Sequence, residues 1–425
     1  MKIFAIAMLL KYLMSVSGAL AADPIEQRVD DLQKEIEALK EQMTRNADAG
    51  GGPPSAAHAA IGHGEGGPTT IGGYGEINYN NYRDGAIRDV ADLKRFVLFF
   101  GHKFSDRVRL YSELEVEHAF IAGGDGTTGE VAMEQAFVQY ALNDAANIRA
   151  GLMLIPSGML NEYHEPPVFN GVERNEVETR IVPSTWRELG LALQGDVLNG
   201  LEYNAGIVTS PDASKFRDSA SGIRQMRVSG NRAAANDFGY FVGLNYRGLP
   251  GFLIGASLFT GNTGQNGLGK GNGRAGANAS LLKGADAKLT IWELHTRYSV
   301  AGFDLRALYA KGTLDDTAAI NAAAGLALGS NSAAPESFDG WLAEAAYHVY
   351  RKGDIDVVPF ARFERYNTQR SVAAGYTIDP RNDEQVTTIG VTFAVHPQVK
   401  FKADAQNYDT DNAKDRFNLG VGYMF

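Results

Sequence analysis

The charged residues of this chain recur at every second position within short segments. In Arg107-Val-Arg-Leu-Tyr-Ser-Glu-Leu-Glu-Val-Glu117, the residues Arg107, Arg109, Tyr111, Glu113, Glu115 and Glu117 alternate with Val108, Leu110, Leu114 and Val116. Glu293, His295 and Arg297 oppose Trp292, Leu294, Tyr298 and Val300 in the same way, and Lys400, Lys402, Asp404 and Gln406 oppose Val399, Phe401, Ala403 and Ala405. Guanidinium and ammonium groups in such rows suit the binding of phosphate and carboxylate anions. With Arg149, Arg306 and Arg362 from similar segments, the candidate solute-facing set is Arg107, Arg109, Glu113, Glu115, Arg149, Arg297, Arg306, Arg362, Lys400 and Lys402. Catalysis is not indicated. His118, His295 and His348 lie on strand-length segments, but no spacing marks a nucleophile beside any of them. His58, His63 and Glu65 stand in a Gly-rich tract and make a weak metal signal, and the chain has no Cys. No metal or cofactor is expected.

A strand is the element that sends alternate side chains to opposite faces. From Ile71 onward, segments of this kind recur about sixteen times, ending with Phe417, Leu419, Val421, Tyr423 and Phe425 alternating with polar or small residues. The connections alternate in length. Short ones such as Ser105-Asp106, Ala301-Gly302 and His396-Pro397 fall between long polar ones, 119–130, 156–187, 210–237, 261–288, 311–337 and 367–384. An even strand number with short turns at one end and long loops at the other predicts an all-β, about 16-stranded antiparallel transmembrane barrel, with the turns periplasmic. A charge on the lipid face would cost roughly 2–4 kcal/mol at the midplane, which explains the segregation of charge to one face. Tyr82, Trp341, Tyr347 and Tyr423 are placed for interfacial girdles.

No run of 18 apolar residues exists, so helical membrane spans are excluded. Acidic residues outnumber basic ones, 50 to 40, which argues against nucleic acid as a partner. Residues 1–21 read as a cleavable signal peptide: Lys2, an apolar run to Leu10, and Ala19-Leu-Ala21 as the cleavage site. In 22–45, Ile25, Val29, Leu32, Ile36, Leu39 and Met43 form a heptad seam, predicting a short periplasmic coiled-coil helix that joins chains. Residues 46–70 read as a Gly/Pro-rich linker, and 71–425 as the barrel.

A barrel of about sixteen strands is too wide for side chains to fill, so water is expected in it, and selectivity then depends on what narrows the bore. Residues 156–187 mix apolar anchors (Tyr163, Pro166, Pro167, Phe169, Trp186) with charges and are expected to fold inward, with Glu173, Arg174, Arg180 and Arg187 at the constriction. The loop 210–237 carries Lys215, Arg217, Arg224, Arg227 and Arg232, which would draw anions to the outer mouth. Ile71-Gly-Gly-Tyr-Gly-Glu-Ile-Asn-Tyr-Asn80, Arg95-Phe-Val-Leu-Phe-Phe-Gly-His102, Glu162-Tyr-His-Glu-Pro-Pro167, Asn170-Gly-Val-Glu-Arg-Asn175 and Ile181-Val-Pro-Ser-Thr-Trp186 resemble the phosphate-selective porin O/P family. That resemblance implies a homotrimeric, non-enzymatic outer-membrane channel, bounded by lipid and lipopolysaccharide, that passes small solutes by diffusion. In phosphate-selective members, inward arginines and lysines conduct the anion. Here the wall is mixed in sign, and the helical extension is a departure. The expected function is a diffusion channel for small hydrophilic solutes with a preference for anions, phosphate or small carboxylates. The alternatives are a non-selective porin and a structural anchor reaching the cell wall through residues 23–45.

Overall fold

The computed structural model describes residues 68–119, 129–143, 145–198 and 200–425. The expected signal peptide, the helix with its seam (Ile25, Val29, Leu32, Ile36, Leu39, Met43) and the linker up to residue 67 lie outside the described residues.

The described chain is one closed antiparallel sheet. Its strands are β1 (Thr69–Tyr82), β2 (Val90–Lys103), β3 (Val108–Glu117), β4 (Glu130–Asn143), β5 (Ala146–Leu154), β6 (Arg187–Leu198), β7 (Leu201–Thr209) and β8 (Phe238–Leu249). They continue as β9 (Phe252–Gly261), β10 (Leu289–Val300), β11 (Phe303–Leu314), β12 (Pro335–Tyr347), β13 (Ile355–Val372), β14 (Asp383–His396), β15 (Val399–Tyr408) and β16 (Arg416–Met424). A short piece, Tyr350–Lys352, extends β12 along the same neighbour. Each strand pairs with the next in sequence, and β1 closes on β16 with Tyr74 opposite Met424 and Tyr82 opposite Arg416. The result is the expected 16-stranded barrel. Among the described residues, no helix is long and apolar enough to cross a membrane.

The two faces separate as the alternation requires. Outward side chains are apolar and exposed: Leu114, Leu191, Tyr240, Leu294, Phe401, Phe417 and Leu419. Trp341 packs on Phe363, and Tyr347 on Phe303 beside the Ala301-Gly302 turn. Tyr82 is the exception to the expected girdle. It shares the inward face with Glu76, Asn78 and Asn80, and its hydroxyl accepts from Arg416 at 3.3 Å. Two of the bulges bear on the interior. Lys94 is unpaired between Arg95 and Leu93, and Glu134 is unpaired between Gln135 and Met133. A bulged residue re-aims its side chain, and both of these turn inward.

The interior differs from the water-filled bore expected of a bare barrel. Val208, Phe241, Phe259, Leu289, Ile291, Leu308 and Leu342 face inward and pack on residues of the long connections, including Ile181, Val182, Trp186, Phe216, Ile223, Met226, Leu282 and Ile320. Trp186 lies 4.5 Å from Phe259, ring centre to ring centre. A second hydrophobic core therefore fills part of the barrel toward the long-loop end. Strand boundaries move with it: β13 runs to Val372 and β11 to Leu314, into regions expected as loop, and β1 begins at Thr69.

Candidate pore and its inserted segment

The connection from β5 to β6 does not leave the barrel; nearly all of it is buried. It starts with a tight turn at Gly158 (φ +75°), where an added Cβ would lie 2.4 Å from Glu178 Oε1. That oxygen accepts from the backbone amides of Met159 (2.5 Å) and Leu160 (2.7 Å). Pro166–Val168 forms a single helical turn and Val177–Arg180 a short helix. Gly422 of β16 leaves room for Pro166, which a side chain there would meet at 2.4 Å.

The wall from β11 to β15 holds the segment largely by its backbone. Lys402 Nζ donates to the carbonyls of Pro166 (2.7 Å), Phe169 (2.7 Å) and Gly171 (2.8 Å), and sits 3.8 Å from the centre of the Phe169 ring. Lys400 donates to Pro167 O at 2.5 Å and Arg306 to Val168 O at 3.2 Å. Asp404 accepts from Val172 N at 2.6 Å, Glu344 from Asn170 Nδ2 at 2.9 Å, and Glu364 from Glu176 N at 2.6 Å. Tyr408 donates to Glu176 at 2.8 Å. On β1 and β2, further along the same arc, Glu173 accepts from Asn78 (3.2 Å), Asn80 (3.1 Å) and the bulged Lys94. Burial raises the pKa of Glu173, but Lys94, Arg416 and these hydrogen bonds outweigh it and hold the carboxyl well below the usual range. The segment is thus fastened along a continuous arc of wall, from β11 through β16 to β1 and β2.

This changes the expected roles of the wall charges. Lys402, Lys400, Arg306 and Arg362 are engaged by the segment or by neighbouring acids; Arg362 pairs with Glu364 at 2.7 Å and Glu344 at 3.4 Å. Arg107 is no wall residue. It lies exposed in the turn before β3, which begins at Val108. Arg109 faces inward near the short-turn end. Arg149 lies over the Phe137 ring at 4.8 Å and donates to Gln139 at 3.1 Å. Glu113 and Glu115 are buried behind the segment. Of the constriction set, Glu173 is half-buried and Arg174 buried in the segment. Arg180 pairs with Glu176 at 2.5 Å, and Arg187 borders a cavity.

Two cavities border the segment. One, of about 740 Å³ on the long-loop side, is lined by Arg187, Lys215, Arg224 and Arg227, with Glu115, Glu117 and Glu130. Its cations are satisfied mainly by backbone carbonyls. Arg227 donates to Ser184 O, Thr185 O (3.1 Å) and Arg224 O (3.1 Å); Arg224 donates to Ser184 O (3.2 Å); Lys215 donates to Arg227 O. Glu115 and Glu117 lean toward Arg95, at 3.3 and 3.9 Å. Burial, then Arg174 and Arg95, push the Arg224 guanidinium down to about 10; burial, then Arg224 and Arg187, lower Arg227. A guanidinium keeps its charge in proteins, so these two groups repel one another. The second cavity, of about 560 Å³ on the short-turn side, is lined by Arg297, Arg306, Arg351, Lys400 and His348 with Asp304 and Asp356. Here carboxylates compensate. Asp304 accepts from Arg297 (2.8 and 2.9 Å) and Arg306 (2.9 Å), and Asp356 from His348 (2.7 Å) and Arg351 (3.1 Å). Lys215, Arg224 and Arg227, read from sequence as part of a mouth loop, are folded down against the segment instead.

Comparison with known proteins gives one sequence relative and a fold. An uncharacterized protein of Aquifex aeolicus (strain VF5) is 31% identical over 364 residues, covering 84% of this chain and 80% of that protein. No family profile matches the chain. Among solved structures, OmpF of Salmonella typhi in complex with daunomycin aligns with a TM-score of 0.55 at 12% identity, covering 84% of this chain and 97% of that one. The outer membrane channel DcaP of Acinetobacter baumannii aligns at 0.50 and 14% identity, with 84% and 97% covered. At these identities the likeness establishes the fold alone, a closed 16-stranded antiparallel β-barrel.

Proposed function

The chain belongs to the same family as the Aquifex aeolicus protein, and we propose that it is an outer-membrane diffusion channel for small hydrophilic solutes that favours anions. The observation that carries this reading is the long-loop cavity. Lys215, Arg224 and Arg227 converge there on carbonyl oxygens, which satisfy N–H groups without cancelling their charge. Like charges held together in a partly dry site gain from an anion between them, and guanidinium forks match phosphate and carboxylate oxygens. The resemblance to the phosphate-selective porin O/P family points the same way. The mechanism is electrostatic: the cavity concentrates anions beside the inserted segment, and the paired charges beyond it offer no comparable well. The signal peptide, the homotrimer and its coiled coil, and the contact with lipopolysaccharide belong to this proposal.

In planar bilayers the purified protein should give stepwise conductance, with chloride current reduced by added phosphate and the anion preference fading as salt rises. Absence of conductance steps would remove the channel reading. A cation-selective channel unaffected by phosphate would leave a porin without the anion preference.

A further inference from the structure

Behind the inserted segment, the wall of β3 and β4 presents a cluster that pore electrostatics leaves unexplained. Glu113 of β3, the bulged Glu134 of β4 and His164 of the segment are 1%, 0% and 2% exposed. One oxygen of each carboxylate and one imidazole nitrogen lie within 4.8 Å of one another. His164 Nε2 is 3.3 Å from Glu134 Oε2 and 3.7 Å from Glu113 Oε1. Donors placed tetrahedrally at about 2.1 Å around a zinc-class ion stand about 3.4 Å apart, so this spacing leaves room for such an ion at their centre.

The hydrogen bonds around the cluster select the right atoms. His164 Nδ1 lies 3.0 Å from the Asn161 carbonyl, so Nδ1–H donates there and the lone pair of the neutral ring is at Nε2, facing the carboxylates. Gln135 donates to Glu113 Oε2 at 2.8 Å, and Tyr74 to Glu134 Oε2 at 3.4 Å. Glu113 Oε1 and Glu134 Oε1, both buried, have no hydrogen-bond partner among the described residues; the Arg187 guanidinium stands 3.8 Å from the latter. Two carboxylates this close and this dry cannot both stay ionised unaided; a cation between them, or a shared proton, relieves the pair. One imidazole nitrogen with two carboxylates is a borderline donor set that suits zinc and its first-row neighbours, whereas calcium would want six or more oxygens.

We propose that Glu113, Glu134 and His164 bind a zinc-class divalent cation that fastens the inserted segment to the β3–β4 wall. The site joins two strands to residue 164 of the segment, on a different stretch of wall from the Lys402 clamp on β15. Nothing in conduction requires it, so its presence or absence is separable from the channel reading.

The test uses the full chain without an affinity tag, carrying His58→Ala and His63→Ala to remove the linker histidines. It is folded in detergent, stripped with chelator and titrated with zinc chloride. The expected result is one zinc per chain by calorimetry, and an X-ray absorption spectrum fitted by one imidazole nitrogen and carboxylate oxygens. A rise in the unfolding temperature of the barrel should accompany binding. His164→Gln and the Glu113→Gln/Glu134→Gln pair should lower affinity by more than the ~10–100-fold that loss of an outer partner costs. Failure of the stripped, folded parent chain to take up stoichiometric zinc would overturn the site, whatever the variants do. So would zinc uptake of equal affinity in a folded His164→Gln chain. A proton shared by the two carboxyl groups would then relieve the pair.

Discussion

At the short-turn end of the bore, Arg297 and Arg306 share Asp304, while Arg351 and His348 share Asp356. At the long-loop end, Arg224, Arg227 and Lys215 lean on the carbonyls of Ser184, Thr185 and Arg227. The residue types are alike, yet the field they leave behind differs. A carboxylate partner satisfies the hydrogen bonds and the charge together; a carbonyl satisfies only the hydrogen bonds. A count of wall arginines is therefore a poor guide to selectivity, and the partner of each arginine is a better one.

The largest expected effect comes from removing what keeps the two cavities apart. Lys402→Met deprives three buried carbonyls of their donor and should cost about 3–5 kcal/mol of barrel stability. Unfolding in detergent would measure that loss, and single-channel records should become noisy and larger in conductance as the segment loosens. Asp304→Asn comes next, since it makes the short-turn cavity resemble the other. It exposes the charge of two guanidiniums, should cost about 1–3 kcal/mol, and should increase anion preference in reversal-potential measurements. Smaller is the effect of acid on the anchor of Glu173 to β1 and β2. The carboxyl of Glu173 is held below its unfolded value, so its contribution is fully present above the ordinary carboxylate pKa and is lost only as pH falls through the lower folded value. Conductance noise from this anchor should thus be unchanged between pH 7 and the ordinary carboxylate pKa, whereas Glu173→Gln should be noisy throughout. Least of all, Lys103→Ala in the exposed pair with Asp106 should leave stability and selectivity unchanged within error.

The barrel was legible because lipid enforces alternation: Leu114 and Phe417 stand outside, while Glu113 and Asn418 stand inside, as period two requires. The inward fold of the 156–187 segment could be anticipated from its apolar anchors, of which Trp186 and Phe169 are buried. The bulges were harder. Lys94-Arg95 and Glu134-Gln135 put two polar residues side by side within a strand, and that doublet was the available signal for an extra inward side chain. The interior core was hidden because in β8 both faces are apolar, Phe241 inside and Val242 outside, so alternation cannot separate a lipid-facing residue from one that packs on a folded loop. Arg107 was misplaced because its parity fits the strand, but the chain is still turning there. The meeting of Glu113, Glu134 and His164 depends on a bulge and an inserted segment at once, and neither leaves a fixed sequence spacing.

The claim that carbonyl-satisfied cations set selectivity is tested most directly by the reversal potential across a potassium chloride gradient for Lys215→Gln/Arg224→Gln/Arg227→Gln, beside the unaltered protein. The account predicts an anion-selective potential for the latter and a value at or beyond zero, toward cation selectivity, for the variant with its conductance steps intact. An anion-selective potential unchanged by the three substitutions would contradict it.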